Sequence, residues 1–309
     1  MNRSIHSLLS RPVLRTAMAA CALSLASGAS AAEPLFEPWI DGQSETEPEM
    51  QVQQYDPDTF VIRQSIRTNF EGPFLYLLFG SDKALLLDTG AGGLEIRPTI
   101  DRLIAEWSAR NGRASIPLVV AHSHSHGDHV AGDAEFAERP DTVIVGLKPT
   151  DVASFFGIGN WPNEISTFDL GNRALSIIPT PGHEPAHIMI HDPRTQLLLG
   201  GDALYPGRLY VPANWRKQFV ESTKRVTAFL REHPATHILG AHIEMTNTPG
   251  KDYPMEAATH PDEHVLELPP EAAELVEKVA AEMGDTTEPT VTSDFIVFPV
   301  PARLPNPDY

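Results

Sequence analysis

The sequence predicts a single α/β domain with helices on the outside of sheets, and three observations carry that prediction. Short apolar runs of strand length recur, as in Ala84-Leu85-Leu86-Leu87 and Val119-Val120-Ala121, and runs of this kind suit strands buried on both faces. Between them lie stretches whose apolar residues recur at helical spacing, at about Glu95 to Arg110 and at Trp215 to Glu232. The resulting order, β-β-β-α-β-α and a looser repeat of it in the second half, is that of a layered α/β structure. A chain of 309 residues suffices for one large core.

Taken in order, residues 33–58 are acidic and polar with Pro34, Pro38, Pro48 and Pro57, and read as a linker or an arm lying on the domain, which then occupies residues 59–309. Phe60 to Ile66 and Phe74 to Phe79 read as strands separated by the turn-rich Asn69-Phe70-Glu71-Gly72-Pro73. The run at Ala84 ends in Asp88-Thr89-Gly90, and Asn111-Gly112 stops the helix that follows. Ile116 to Ala121 is the next strand, with a helix expected from about Val130 to Glu138 and a strand at Thr142 to Gly146. Leu175 to Pro179, Ala186 to His191 and Gln196 to Leu199 read as three strands. The amphipathic helix Trp215 to Glu232, a strand at Thr236 to Leu239, an acidic helix from Pro270 to Met283 and a strand at Phe295 to Val300 complete the series, before a Pro-rich tail.

The N-terminus has a different character. Arg3, Arg11 and Arg15 precede an apolar stretch from about Ala17 to Ala26 and the small-residue run Ser27 to Ala32. That order reads as a secretory signal peptide over residues 1–32, cleaved after Ala31 or Ala32, with an uncleaved anchor or a lipoprotein at Cys21 as the alternatives, so the mature protein is expected to be exported to the periplasm. The single cysteine, Cys21, leaves with it. No disulfide, thiolate ligand or cysteine nucleophile remains. The formal net charge of −18 becomes more negative once the three arginines are removed. Such a balance argues against a nucleic-acid partner, which needs a basic footprint. No later stretch approaches a membrane span. A small-molecule substrate is the expected partner, and oligomeric state is not legible.

Chemistry concentrates behind the strand at Ile116. His122-Ser123-His124-Ser125-His126-Gly127-Asp128-His129 places four histidines and a carboxylate within eight residues. Imidazole and carboxylate are the ligands zinc and its transition-metal neighbours favour. In an extended segment His124 and His126 point the same way. A turn at Gly127 can send Asp128 and His129 elsewhere, so one segment can serve two adjacent metals. Three further signals stand at strand ends: Pro181-Gly182-His183, Gly200-Gly201-Asp202 and Gly240-Ala241-His242.

Over roughly residues 58–283 this set resembles the metallo-β-lactamase superfamily: Asp88-Thr89-Gly90, His124-x-His126-x-Asp128-His129, the Pro-Gly-His ending at His183, the Gly-Asp ending at Asp202, and His242, all in the family's order. The resemblance implies an αββα sandwich with a binuclear metal site at one edge. It assigns His124, His126 and His183 to a first metal, and Asp128, His129 and His242 to a second. Asp202 would bridge the two, and Asp88 would order the ligands around it. Two zinc ions are the implied cofactors, with iron or manganese compatible with the same ligands. Two metals roughly 3.5–4 Å apart share a water and lower its pKa to about 7, so a bridging hydroxide would attack the substrate and Asp128 would belong to the catalytic machinery.

Tyr205, three residues beyond Asp202, stands where lactonases of the family carry a tyrosine that polarises the substrate carbonyl. The expectation is therefore an exported dinuclear zinc hydrolase that opens a lactone or related carboxylic ester. β-Lactam hydrolysis, phosphoester or phosphotriester hydrolysis, and a non-catalytic periplasmic metal- or ligand-binding module are the alternatives. His122 fits neither metal and is expected buried, and His187 is expected to be structural. His260 and His264 read as loop residues covering the approach to the site. Phe155, Phe156 and Trp161 would line an apolar substrate wall or pack in the core.

Overall fold

The structure, a computed structural model, describes Met1 and residues 34–303; the expected signal peptide lies outside the described residues. The first half of the chain builds one sheet in sequence order. β1 (Met50–Asp56), β2 (Thr59–Gln64), β3 (Phe74–Phe79) and β4 (Ala84–Leu87) form an antiparallel meander. The helix α1 (Arg97–Arg110) then carries the chain back, so β5 (Leu118–Ala121) lies parallel to β4. Two short helices follow, α2 (Gly127–Val130) and α3 (Asp133–Phe136), and β6 (Thr142–Ile144) closes the sheet in parallel with β5.

After α4 (Pro149–Phe156) a second sheet forms. Its first strands are β7 (Ser166–Asp169), β8 (Ala174–Pro179), β9 (Ile188–Asp192) and β10 (Leu197–Gly201), again an antiparallel meander. The chain next makes β11 (Arg208–Pro212) and the long helix α5 (Arg216–Glu232). It returns as β12 (His237–Gly240), parallel to β10, with β13 (Glu267–Leu268) at the edge. α6 (Glu271–Glu282), β14 (Thr290–Val291) and β15 (Ile296–Val300) end the series, and β15 pairs with β11 and β14 in a third, small sheet.

Period-2 geometry explains the layering. Along β3, Phe74, Tyr76 and Leu78 face the second sheet, where they meet Leu175, Ile177, Ile188, Ile190 and Leu199. Leu75, Leu77 and Phe79 face the other way, against Ile100, Leu103, Ile104 and Trp107 of α1. The second sheet repeats the device: Ile178, Met189, Leu198 and Ile238 pack on Phe219 and Val226 of α5 and on Ala273 and Val276 of α6. The order of layers is helix, sheet, sheet, helix. Each large side chain buried this way contributes roughly 1.5–3 kcal/mol. Polar ties cross between the sheets as well. Arg173, 2% exposed, donates to Asp192 Oδ2 (2.6 Å), to the carbonyls of Asp58 (2.7 Å) and Phe79 (3.1 Å), and to Thr59 Oγ1 (2.7 Å).

Several elements differ from the sequence reading. The expected linker over residues 33–58 contains β1, an edge strand whose Met50 and Val52 rest against the α1-side core; its three glutamines hid the alternation. Leu35, Phe36 and Trp39 pack on the inter-sheet core, so the remaining arm is held by burial. The single helix expected from Val130 to Glu138 is two short helices broken at Gly132, where a Cβ would lie 2.5 Å from the Thr89 carbonyl oxygen. Neither α4 nor β11 was anticipated. Phe155, Phe156 and Trp161 pack against the inter-sheet core, so core packing is their role.

Candidate metal centre

Strands from both sheets end at one edge, and each delivers a polar residue there. β4 runs into Asp88, β5 into His122-Ser123-His124, β8 into Thr180-Pro181-Gly182-His183, β10 into Asp202 and β12 into Ala241-His242. The edge is stitched by backbone bonds: Ile188 N–H donates to Ser123 O (2.8 Å), and Phe74 N–H to Ala241 O (2.8 Å). Tyr76 Oη adds a bond to Gly240 O (2.5 Å). Two donor groups result, His124, His126 and His183 in one, and Asp128, His129, Asp202 and His242 in the other. Within each, the potential ligand atoms lie within 4.8 Å of one another.

The outer hydrogen bond of each imidazole assigns which nitrogen faces inward. His129 Nδ1 donates to Asp88 Oδ2 (3.0 Å), His183 Nδ1 to Tyr210 O (3.0 Å) and His242 Nδ1 to Glu71 O (2.9 Å). Ser123 Oγ donates to Asp88 Oδ2 (2.9 Å), which leaves its lone pair to accept from His124 Nδ1 (3.1 Å). In their neutral forms four imidazoles therefore direct Nε2 lone pairs inward, towards carboxylates that also only accept. His126 presents Nδ1 to the same centre, 2.9 Å from His124 Nε2 and 3.0 Å from His183 Nε2.

Asp202 stands between the groups. Its Oδ2 lies 3.8 Å from His124 Nε2 and 3.6 Å from His183 Nε2; its Oδ1 lies 3.5 Å from His129 Nε2 and 3.4 Å from His242 Nε2. Among the described residues, buried Oδ1 has no hydrogen-bond partner, an arrangement that is costly unless something positive completes it. Converging lone pairs and an orphaned buried carboxylate oxygen fit a pair of divalent cations.

Proton affinities follow the same division. Burial, reinforced by His183 and Arg303 against the pull of Asp202, pushes His126 down to about 3, and burial aided by His187 and Arg303 against Asp202 pushes His183 down to about 4. At the other group burial also opposes charge on the imidazoles, but Asp128, Asp202 and Asp88 outweigh it and raise His129 well above its usual value. His242 is raised in the same way by Asp202 and Asp128. Burial would raise Asp202 and Asp128, yet the surrounding histidines hold both below the usual carboxylate range. Without a cation, protons take its place among these groups.

Two backbone features hold the arrangement. Asp88 sits at φ +69°, a region few non-glycine residues adopt although Asp and Asn are enriched there. That turn aims its carboxylate at Ser123 N–H (2.7 Å), Ser123 Oγ and His129. Gly201 has φ +52°, and a Cβ there would lie 2.7 Å from His187 Nε2. His187 is structural in contact: Nδ1 bonds Thr180 Oγ1 (2.7 Å), and Nε2 accepts from the backbone N–H of Asp202 (3.2 Å).

Other expected residues stand apart from the ligands. The Tyr205 hydroxyl, expected to polarise a carbonyl, is turned into the protein, where it donates to Arg208 O (2.5 Å) and contacts Glu244 Oε2 (3.0 Å). Its ring, 2% exposed, rests 5.6 Å from that of His242; burial between β10 and β12 decided the direction of the side chain. His122 is buried and bonds Asp133 Oδ1 (2.8 Å). His260 stacks on Tyr253 and bonds Glu263, while His264 contacts Asp294. Sequence reasoning missed Ser123, although it lies inside the histidine run. It also missed Glu71 and Tyr210, which act through backbone carbonyls, and Arg303, whose Nη1 donates to His126 Nε2 (3.2 Å).

A family model described as the metallo-beta-lactamase superfamily matches residues 69–216. Hydroxyacylglutathione hydrolase of Rhizobium meliloti (strain 1021) is 35% identical over 91 residues, which is 28% of this chain and 35% of that protein. Acyl-coenzyme A thioesterase MBLAC2 of Bos taurus is 24% identical over 202 residues, 55% of this chain and 72% of that protein. The chain thus spans only about a third of the first relative's length. Among solved structures, DIM-1 metallo-β-lactamase has a TM-score of 0.50 at 15% identity, covering 77% of this chain and 99% of that one, a likeness of fold. The matched segment carries every ligand residue but His242, which β12 brings to the same edge. Residues 69–216 thus match the metallo-β-lactamase superfamily, and the layered fold and the strand-end ligands agree with that likeness.

Proposed function

We propose that the protein is a dinuclear zinc hydrolase of small-molecule carboxylic esters, with lactones as the leading class, acting in the periplasm. The observation that carries this reading is the position of Asp202, whose two carboxylate oxygens face different donor groups. When bound, the two cations would supply Lewis acidity, acidifying a water and polarising the substrate oxygen. Residues of the chain do the rest. His124, His126 and His183 would hold one cation, Asp128, His129 and His242 the other, and Asp202 both. Asp88 and Ser123 keep His129 in the tautomer that ligates, and His187 keeps the Asp202 backbone in place. Burial of these groups excludes water that would compete for the carboxylates.

Thioesters are the second reading, favoured because two relatives are named for thioester or acylglutathione hydrolysis. Elemental analysis of purified protein should return about two metals per chain. A panel of acyl-homoserine lactones, acyl thioesters, nitrocefin and a phosphotriester then ranks the classes. Lactones turned over best would support the leading reading, and thioesters turned over best would replace it. Protein that takes up no zinc, or that holds zinc and hydrolyses none of the panel, would sink the hydrolase reading. Recovery from the periplasm with a new N-terminus at residue 32 or 33 is the expected result for export.

A further inference from the structure

Beside the metal centre lies a cavity of about 330 Å³. Three of its walls bond the outer nitrogens of ligand imidazoles: Glu71 through its carbonyl to His242, Tyr210 through its carbonyl to His183, and Arg303 through Nη1 to His126 Nε2. The cavity thus adjoins the ligands and has room for the body of a substrate whose reacting carbonyl meets the cations. Apolar surface dominates the far side. Tyr210 of β11 and Phe298 of β15 face each other across the strand pair with ring centroids 5.4 Å apart. Phe70 and Met255 line the same cavity and are 44% and 69% exposed, so its mouth also presents apolar surface.

Two guanidinium groups line this cavity, and they differ. Arg208 is matched by Glu244 (3.0 Å) and Asp252 (2.8 Å). Arg303 makes no ion pair among the described residues; Asn214 holds its backbone at both N–H (3.1 Å) and carbonyl (2.9 Å). Its side-chain contact with His126 is conditional. Nδ1 of His126 faces the donor group, and a neutral imidazole that ligates through Nδ1 keeps its ring hydrogen on Nε2. Two N–H groups cannot bond each other, so loading of the centre removes the acceptor Arg303 now uses. The guanidinium is then left on the cavity rim needing an anionic partner.

Resting on the ester-hydrolase reading above, we propose that Arg303 determines specificity, binding a carboxylate carried by the substrate while the Tyr210–Phe298 wall receives its apolar body. The substrate class is an amphipathic ester with a free carboxylate at the end remote from the reacting carbonyl. Glu71 and Glu256 line the same cavity and are the competing partners for Arg303; pairing with them would leave no preference for an anion.

The test compares two non-hydrolysed anilides, adipic acid monoanilide and the uncharged hexananilide, by calorimetry on zinc-loaded full-chain protein. Wild type should bind the monoanilide more tightly than hexananilide. Arg303→Ala should weaken the monoanilide about tenfold and leave hexananilide unchanged, while Arg303→Lys retains part of the difference. Equal binding of the two anilides by wild type, equal weakening of both by Arg303→Ala, or binding of neither would overturn the assignment. Matched 4-nitrophenyl esters of adipic and hexanoic acid should show the same contrast in KM with kcat little changed. Inactivity towards both esters would count against the hydrolase reading alone, because the anilides report binding without any bond being broken.

Discussion

Asp88→Asn probes how the centre is organised, because it changes neither size nor backbone demand. Asn tolerates φ near +69° as Asp does, so no strain is added. Asp88 accepts three hydrogen bonds, one at Oδ1 from Ser123 N–H (2.7 Å) and two at Oδ2, from Ser123 Oγ (2.9 Å) and His129 Nδ1 (3.0 Å). An amide can keep the first with its oxygen, but its NH2 then faces two donors. Ser123 can rotate; His129 can restore a bond only by moving its hydrogen to Nε2, which removes the lone pair aimed at the centre. Losing outer partners of this kind typically costs about 10–100-fold in metal affinity, or roughly 1.4–2.7 kcal/mol. Two hydrogen bonds to a charged acceptor are worth about 3–6 kcal/mol of stability at about 1.5–3 kcal/mol each.

The assay is a chelator-competition titration with zinc, resolved into its two binding steps, alongside thermal unfolding of metal-free protein. The step assigned to Asp128, His129 and His242 should weaken by that factor. The step at His124, His126 and His183 should change far less, since Asp88 reaches His124 only through Ser123. Two unchanged steps in a folded variant would refute the claim that Asp88 sets the His129 tautomer.

Four further outcomes are expected. Metal loading should depend on pH differently at the two groups: His126 and His183, near 3 and 4, need lose no proton above about pH 5, whereas His129 and His242 are raised and must each release one. Affinity at the second group should therefore rise with pH from 6 to 8 while the first stays nearly flat, and parallel slopes in pH-resolved titrations would contradict the division. Asp202→Ala should lower bound metal at both groups together by elemental analysis; loss from only one would show that Asp202 does not serve both. Tyr205→Phe should leave kcat within about threefold and cost about 1 kcal/mol of stability, because its hydroxyl bonds Arg208 O, and a large fall in kcat would restore the carbonyl-polarising role. Arg173→Met should destabilise the fold by about 3–5 kcal/mol in urea unfolding, since Asp192 would remain buried without its partner; a loss under about 1 kcal/mol would show that the inter-sheet tie is dispensable.

Much of the fold was legible because its signals are local. Leu85, Leu87 and Val119 lie in continuous apolar runs, and such runs mean strands covered on both faces. The stripe Phe219, Val226, Phe229 and Leu230 marked α5. Elements with little apolar alternation, or with a distant partner, were not visible. β1 is polar along much of its length and is an edge strand only because β2 pairs with it, and β11 needs β15, which arrives near the end of the chain.

The candidate site divides in the same way. Ligand types, their spacing and their places at strand ends were determined by the sequence alone, because a carboxylate or imidazole is recognisable wherever it stands and strand ends follow from the apolar runs. Tertiary structure decided which nitrogen of each histidine faces inward, since the deciding partners are backbone carbonyls such as Glu71 O and Tyr210 O, which carry no side-chain signature. It turned the Tyr205 hydroxyl away from the centre, and it brought Arg303 to His126 across 177 positions of chain. Directions and long-range contacts of this kind arise only when the two sheets pack, and no window of neighbouring residues contains them.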